Sequence, residues 1–523
     1  MAYFDYVIVG SGPAGVAAAR RLAAHNLCIV DVGQTAETQF PYQTMGDALA
    51  AADTRALLGN HWEMLGNLMG ETMAHSKLRA PCIAYVAKGE PAFISGGQGT
   101  SPISVAGSYA AGGLSNAWGG QLVRYRPADL ALAGDWPIEV GALDPHYVDL
   151  EAHIGISGEN DDMSEFFGHV NALQPPAPLV PAAQRLLANY RRRQSRSSMD
   201  LRLGYSRLGL LTQAHRGHEP HRLGQTEFFT TEQEGFYTAR RTLRELRSQS
   251  GVTYLGGCRL LAYQESDEHV ELVMQESSGV LQRITARHLL LACGTLHTAR
   301  LVLLNRNEQG RQLPFIEHPP TLFPLFMPSM FGTPLPQKSF PVQLAATLAA
   351  SDSREMISIY YPGAMLRADL AADMPLSYKA SLRLLPKMLG GLLVGQVWQT
   401  ARAHAGNTLT LVDDGSIRIN FCHREHFNKL PHLLSEFRRI GAFSLSRLAT
   451  TSPPGWGFHY AGCLPMRASP QAYETHVDGR LWDSRRVRVV DASVLPSLPA
   501  KNLSLTMMAN AARIAEETLR CGY

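Results

Sequence analysis

One stretch, "DYVIVGSGPAGVAAARRLAAHNLCIVDVG" (5–33), constrains the fold of this chain more than any other. It reads as strand, turn, helix, strand. Val7, Ile8 and Val9 form a short β-branched run, "GSGPAG" turns the chain, "PAGVAAARRLAAH" has helical composition, and "LCIVD" forms a second strand. Gly10, Gly12 and Gly15 give the G-x-G-x-x-G spacing. The first glycine permits a tight turn, the second lets backbone approach a pyrophosphate, and the third lets helix pack on strand. Asp31 ends the second strand, about 20 residues beyond the motif, where a carboxylate can accept both ribose hydroxyls of an adenosine. These features predict dinucleotide binding. The bland alternative is a glycine turn that only packs a helix on a sheet. An acid at this position disfavours a 2′-phosphate, which leaves FAD and NAD open and sets NADP aside.

With 523 residues the chain exceeds what one hydrophobic core supports, and two joined domains are expected. An α/β pattern resumes at 235–304: "GFYTARRTLRELRSQ" as helix, "VTYLGG" and "CRLLAYQE" as strands, and "EHVELVMQE" with "LQRITA" as a hairpin. "RHLLLACGTLHTARLVLLN" follows as strand, glycine turn and helix. A last α/β piece spans 487–518 and closes on the helical "LSLTMMANAARIAEETL". Between these pieces, 140–234 reads as loop-rich, and 320–455 mixes strands ("NTLTLVD", "SIRINF") with a helix at "LPHLLSEFRRIGAFSLSRL". The expected fold is α/β. A Rossmann-like cofactor-binding domain is assembled from discontinuous segments (1–139, 235–316 and 455–523), an FAD-binding domain on the resemblance given below, beside an α+β substrate-binding domain with an antiparallel sheet (140–234 and 317–454).

Several function classes are set aside by composition. A net charge of +3 is too weak to suggest nucleic acid as a partner. The seven cysteines, Cys28, Cys82, Cys258, Cys293, Cys422, Cys463 and Cys521, are dispersed, which excludes a CxxC redox pair and a compact zinc cluster; no metal site is expected. Such usage suits a reducing compartment. "MAYFDYVIVG" has no basic region of the kind that opens a signal peptide. "MLGGLLVGQVWQTA" (388–401), between Lys387 and Arg402, falls short of the roughly 20 residues of a membrane span. A soluble, cytoplasmic protein is expected, with export alongside a signal-bearing subunit as the alternative. The "RRRQSR" cluster (191–196) reads as a solvated surface. "SLRLLPKMLGGLLVGQVW" sets Leu382, Leu385, Leu389, Leu392 and Leu393 at helical spacing. Core packing is the plain reading of 382–397; a hydrophobic lid or a patch docking on lipid is the sharper one.

Five segments together resemble the glucose–methanol–choline (GMC) family of FAD-dependent alcohol oxidoreductases. They are "DYVIVGSGPAG…VD", "AAGGLSNAWGG" (110–120), "LLLACGTLHTARLVL" (289–303), the H-x-x-G-C around His459, and "VRVVDASVLPSLPAKNLSLT" (487–506). "EHPPT" (317–321) fits the family's return into its substrate domain. In that family a catalytic histidine is followed downstream by a second His or Asn; here Asn502 stands at that spacing from His459. The resemblance implies oxidation of an alcohol CH–OH to a carbonyl, with hydride passing to flavin N5. His459 would be the general base, and Asn502 would orient the substrate oxygen. It also implies a cofactor set of Gly10, Gly12, Ala14, Gly15, Asp31, Gly112, Gly113, Ser115, Asn116, Trp118, Cys258, Gly294, Asp491, Ala492, Leu503 and Ser504. Leu503 and Ser504 act through backbone at a helix start. Asp491 has a second reading as a structural acid at a turn. Some relatives attach FAD through a histidine in the glycine-loop region. The stretch 107–126 contains none, so a non-covalent flavin is expected. Partners would be a small alcohol, a sugar-like polyol or a natural-product alcohol, and O2 or another electron acceptor. A non-redox lyase on the same flavin scaffold and an NAD-dependent dehydrogenase are the alternatives.

Overall fold

A computed structural model describes residues 2–35, 51, 92–97, 99–139, 141–223, 235–334, 336, 339–350, 354–362, 376–424 and 426–520. The opening strand, Ala2–Val9, pairs in parallel with Leu27–Val30 on one side and Leu281–Leu291 on the other. Val252–Leu255 extends the sheet beyond Leu27–Val30, and Val487–Val489 adds to Leu281–Leu291, both in parallel. Leu281–Leu291 also runs antiparallel to Val270–Glu276, which pairs with Cys258–Glu265. Three well-separated stretches of chain thus form one seven-stranded sheet. Its central strands carry unbroken apolar runs because both faces are covered: Val7, Ile8, Leu289, Leu290 and Leu291 are all buried.

The first helix, Pro13–Leu22, packs along the closing helix, Ser504–Arg520. Buried alanines line both, among them Ala17 and Ala18 on one and Ala509, Ala512 and Ala515 on the other. Small side chains set a short distance between helix axes. Glycine does the same for the turn below. A Cβ on Gly10 (φ +105°) would collide with the Ala292 carbonyl, and one on Gly15 with the Gly10 carbonyl.

A second, six-stranded sheet is antiparallel throughout, in the order Thr450–Thr451, Thr321–Phe326, Leu392–Trp398, Met356–Tyr360, Val342–Leu348, Leu201–Tyr205. Helices Pro181–Gln194 and Leu430–Arg439 contribute Leu186, Leu187, Tyr190, Leu433 and Phe437 to a core against its Leu203, Phe323, Leu325 and Ile357. The fold is therefore mixed α/β: a Rossmann-like unit from discontinuous segments and an α+β unit with an antiparallel sheet.

Most described residues of 141–223 lie outside helices and strands, as the loop-rich reading expects, although Asp144–Ile154 and Pro181–Gln194 are helices and Leu201–Tyr205 is an edge strand. Two other expectations about local structure need correction. The sequence 381–398 is not one helix. Tyr378–Leu389 is helical, Gly390 and Gly391 break it, and Leu392–Trp398 joins the second sheet. Leu385, Leu389 and Leu393 are buried, Leu393 in the sheet core, so these leucines pack inward. Lastly, 430–448 is helical only to Arg439, because Gly441 takes a left-handed conformation (φ +87°). Arg191, Arg192 and Arg193 lie on the outer end of Pro181–Gln194 and are exposed, as a solvated cluster should be.

The close packing at Gly15 gives a direct test. Gly15→Ala pushes a methyl onto the Gly10 carbonyl, and about 1–3 kcal/mol of overpacking cost is expected, read as a lower denaturant midpoint at unchanged slope.

Candidate active site

A cavity of about 490 Å³ runs from the first glycine turn to His459 and Asn502. Gly12 is the N-cap of the first helix, and nothing lies within 4 Å of the place its Cβ would occupy. The helix start therefore opens onto the cavity through bare backbone, as anion binding requires. Asp31 lies beside this turn. Ser11 and Tyr254 both donate to its Oδ2, Tyr254 at 3.2 Å. Burial pushes the Asp31 carboxyl up to about 6, while those hydrogen bonds pull it back down. It is thus mostly ionised at neutral pH.

The glycine loop continues as a 3-10 turn, Gly113–Ala117. A Cβ on Gly113, itself at φ +58°, would lie 3.2 Å from the Gly12 Cα, so the two turns touch. Gly113, Ser115 and Trp118 line the cavity. Ser115 Oγ donates to the Gly112 carbonyl (2.6 Å) and accepts from the Ala239 N–H (2.9 Å); the Trp118 indole N–H donates to the Tyr237 carbonyl (2.9 Å). Gly15, Gly112 and Asn116 stand behind the wall instead. The Gly112 N–H donates to Ser11 Oγ (2.9 Å), and the Asn116 amide donates to the Ala111 and Gly113 carbonyls. Ala14, Cys258, Gly294 and Ala492 line the cavity, as do Leu503 and Ser504, the latter opening the closing helix.

Asp491 also reaches the cavity, but its carboxylate is occupied by the protein. Oδ2 accepts from the Gly294 N–H (3.0 Å) and the Thr298 hydroxyl, and Oδ1 accepts from the N–H (2.9 Å) and hydroxyl (2.6 Å) of Ser493. One buried acid thus ties the start of helix Thr295–Arg306 to the turn at Ala492–Val494.

At the far end the chain brings together residues remote in sequence. The two-residue strands Ile316–Glu317 and Tyr460–Ala461 pair antiparallel, Glu317 opposite Tyr460. Extending that register by one residue sets His318 opposite His459. His318 Nε2 lies 2.7 Å from His459 Nδ1, and His318 Nδ1 lies 2.8 Å from the Gln399 carbonyl oxygen. Trp398 ends its strand with the indole stacked on the His459 ring (centroids 4.4 Å apart, 25° between planes). Phe458, just before His459, takes φ +56°, a left-handed conformation that costs a bulky residue about 1–3 kcal/mol. Glu317 helps impose it by accepting the Gly457 N–H (3.0 Å). Burial pushes the Glu317 carboxyl up to about 8, opposed by hydrogen bonds from Gly457 and Gly455.

Asn502 follows Lys501, whose ammonium is fully buried. It pairs with Asp129, donates to the Phe166 carbonyl and sits 4.0 Å over the Phe166 ring. Burial lowers the Lys501 ammonium to about 8 even with Asp129 raising it. Asn502 Oδ1 is buried and lacks a hydrogen-bond partner among the described residues, as a group that meets a bound ligand would. That atom, the bare Gly12 helix start and the Asp31 carboxylate together fit a bound dinucleotide.

The motifs picked out Gly10, Gly12, Asp31, His459 and Asn502, all of which line this cavity. They missed Ser11 and Tyr254, which hold Asp31, and Trp398 and Tyr360, which wall the far end. They also gave no role to His318, although "EHPPT" had been marked; the signal was its place opposite His459 in an antiparallel pair. Among the described residues no group of three or more His, Cys, Asp or Glu side chains is arranged to hold a metal.

Residues 447–511, which include His459 and Asn502, match the family model described as GMC oxidoreductase. The resemblance read from the motifs is thereby shown for the segment that carries both residues. In fold, the chain is similar to pyridoxine 4-oxidase from Mesorbium loti, with a TM-score of 0.59 and 15% sequence identity over 99% of both chains. No curated protein sequence matches the chain.

Glu317 supplies a prediction of its own. With the folded carboxyl at about 8 and the ordinary value at 4.5, the folded state holds a proton that the unfolded chain releases. Its contribution to stability is complete below about pH 4.5 and is lost as pH rises to about 8. Glu317→Gln removes this loss, so the melting temperature of the variant gains on the parent across that window when both are followed against pH.

Proposed function

We propose that this protein is an FAD-dependent oxidoreductase that converts an alcohol CH–OH group to a carbonyl. The observation that carries the reading is a single cavity holding the dinucleotide turn, the Asp31 carboxylate, His459 and Asn502. Gly10, Gly12, Ala14 and Asp31 would hold the adenosine and pyrophosphate. Gly113, Ser115, Trp118, Leu503 and Ser504 would meet the ring system, with the start of the closing helix favouring negative charge there. When bound, the flavin supplies the acceptor for the hydride that leaves the alcohol carbon.

The protein's own part is proton transfer and orientation. The His459 ring takes the hydroxyl proton; an imidazole does so near neutral pH without large tuning. Asn502 cannot titrate, and its amide donates to the substrate oxygen as negative charge develops there. Trp398 and Tyr360 shape the space beside them, and Gln121 accepts from Ser358 (2.9 Å) and Tyr360 (3.4 Å). These walls are aromatic and uncharged. They suit a neutral alcohol with a flat face, whether a natural-product ring or the C–H face of a sugar. In this reading 140–234 and 317–454 form the substrate-binding domain, the remainder forms the FAD-binding domain, the flavin is not covalently attached, and the dispersed cysteines suit a cytoplasmic setting. Among the described residues, no helix is long and apolar enough to cross a membrane.

The test is a panel of primary and secondary alcohols, including sugars, aromatic alcohols and pyridoxine, scored anaerobically by bleaching of the flavin's visible absorbance. Bleaching by at least one alcohol is expected, and peroxide formed on admitting air would identify O2 as the acceptor. A yellow protein that no alcohol bleaches, or a colourless one that cannot be reconstituted, would overturn the reading. Asn502→Ala should lower turnover about 100-fold or more while flavin content stays at the parent level. Loss of flavin instead would refute the division of roles.

A further inference from the structure

A neutral imidazole carries hydrogen on only one of its nitrogens, and that choice decides which face of His459 acts as a base. The hydrogen bonds around His459 fix it, starting from the Gln399 carbonyl. That oxygen accepts and never donates, and His318 Nδ1 lies 2.8 Å from it, so His318 carries a proton on Nδ1. Burial lowers His318 to about 4, against the raising effect of the Gln399 carbonyl. The ring is therefore neutral at neutral pH, and its Nε2 keeps a lone pair. That Nε2 lies 2.7 Å from His459 Nδ1. One of the two must donate, and His318 has no proton there to give. The proton belongs to His459 Nδ1, which leaves Nε2 as the acceptor nitrogen of a ring that lines the cavity.

We propose that His318 is a positioning residue that selects the Nδ1–H tautomer of His459, so that His459 Nε2 is the atom that takes the substrate's hydroxyl proton. The second half rests on the function proposed above; the tautomer rests on the two hydrogen bonds together with the neutrality of the buried His318. Trp398 reinforces the choice. Its indole stacks on His459 and leans on His318 (centroids 5.0 Å apart), which resists the ring flip that would exchange the two nitrogens. When Nε2 accepts a proton, His459 becomes an imidazolium that keeps its Nδ1–H donated to His318. No second proton moves, and the positive charge stays on His459. The nearest carboxyl in sequence, Glu317, is turned away toward the Gly457 N–H.

Two measurements on the flavin-loaded protein test this. Long-range proton–nitrogen spectra of histidine-labelled protein, with the His459 signals assigned by their loss in His459→Asn, should show protonated Nδ1 and unprotonated Nε2 at neutral pH. The opposite pattern, or an imidazolium, would overturn the proposal. In the second, His318→Leu removes the acceptor, while His318→Gln keeps an acceptor toward His459 and a donor toward Gln399. His318→Leu should slow flavin reduction at saturating alcohol about 100-fold with KM little changed, and His318→Gln should recover most of that loss. A His318→Leu protein with parental rate and parental tautomer would overturn it. If no alcohol reduces the flavin, His459 is not the base and the second half falls; the spectra still decide the tautomer independently.

Discussion

Two residues of antiparallel pairing, Ile316–Glu317 against Tyr460–Ala461, hold the candidate site together. The placement of His459 and its neighbours at the far end of the cavity follows from that register. It sets His318 against His459, turns Glu317 under the Gly457 N–H and puts the Tyr460 hydroxyl where it accepts from the Ala106 N–H (3.1 Å) and donates to the Gly455 carbonyl. A slip by one residue would send each of these side chains to the opposite face. Strands this short hold register poorly alone. Here the register is over-determined, because a buried carboxyl, a buried phenol and an imidazole pair each have a partner only in this alignment.

Asn502 is supported differently. Its neighbour Lys501 is buried in an ion pair with Asp129, which also bonds Arg354 (3.2 Å) and accepts the Arg126 N–H (2.6 Å). Buried pairs of this kind add little net stability, since desolvation offsets their attraction, but breaking one costs about 3–5 kcal/mol. That makes them well suited to fixing position. The pair anchors Lys501 by its side chain, and Asn502 is the next residue along. Of the two residues that meet at the far end, His459 is thus positioned by backbone pairing and Asn502 sits beside an enclosed charge.

Much of the cofactor unit was legible in the sequence because its signals are local. The strand–turn–helix at 5–33, the hairpin at 268–286 and the strand–glycine–helix at 289–303 each declare themselves through periodicity and glycine placement within one window. The regions misread were those where tertiary contacts decide. Leucine spacing over 381–398 fits a helix, yet Gly390 and Gly391 end it and the six-stranded sheet takes Leu392–Trp398. The stretch 141–223 is mostly loop, as expected, and its helices Asp144–Ile154 and Pro181–Gln194 did not stand out from the loops around them. In the site, glycines and the His459–Asn502 spacing could be read, whereas Ser11, Tyr254, Trp398 and His318 owe their places to pairings across long stretches of chain. No window contains both members of such a pair.

The packing of Pro13–Leu22 against Ser504–Arg520 has a consequence for how the chain is made. Strand Ala2–Val9 and helix Pro13–Leu22 are synthesised well before helix Ser504–Arg520, which packs on their alanine face. The parallel partner Val487–Val489 is equally late. Such long-range closures are slow, and a half-built sheet with an apolar flank is prone to aggregate. Biogenesis of this protein should therefore depend on chaperone cover and on translation speed more than its finished compactness would suggest.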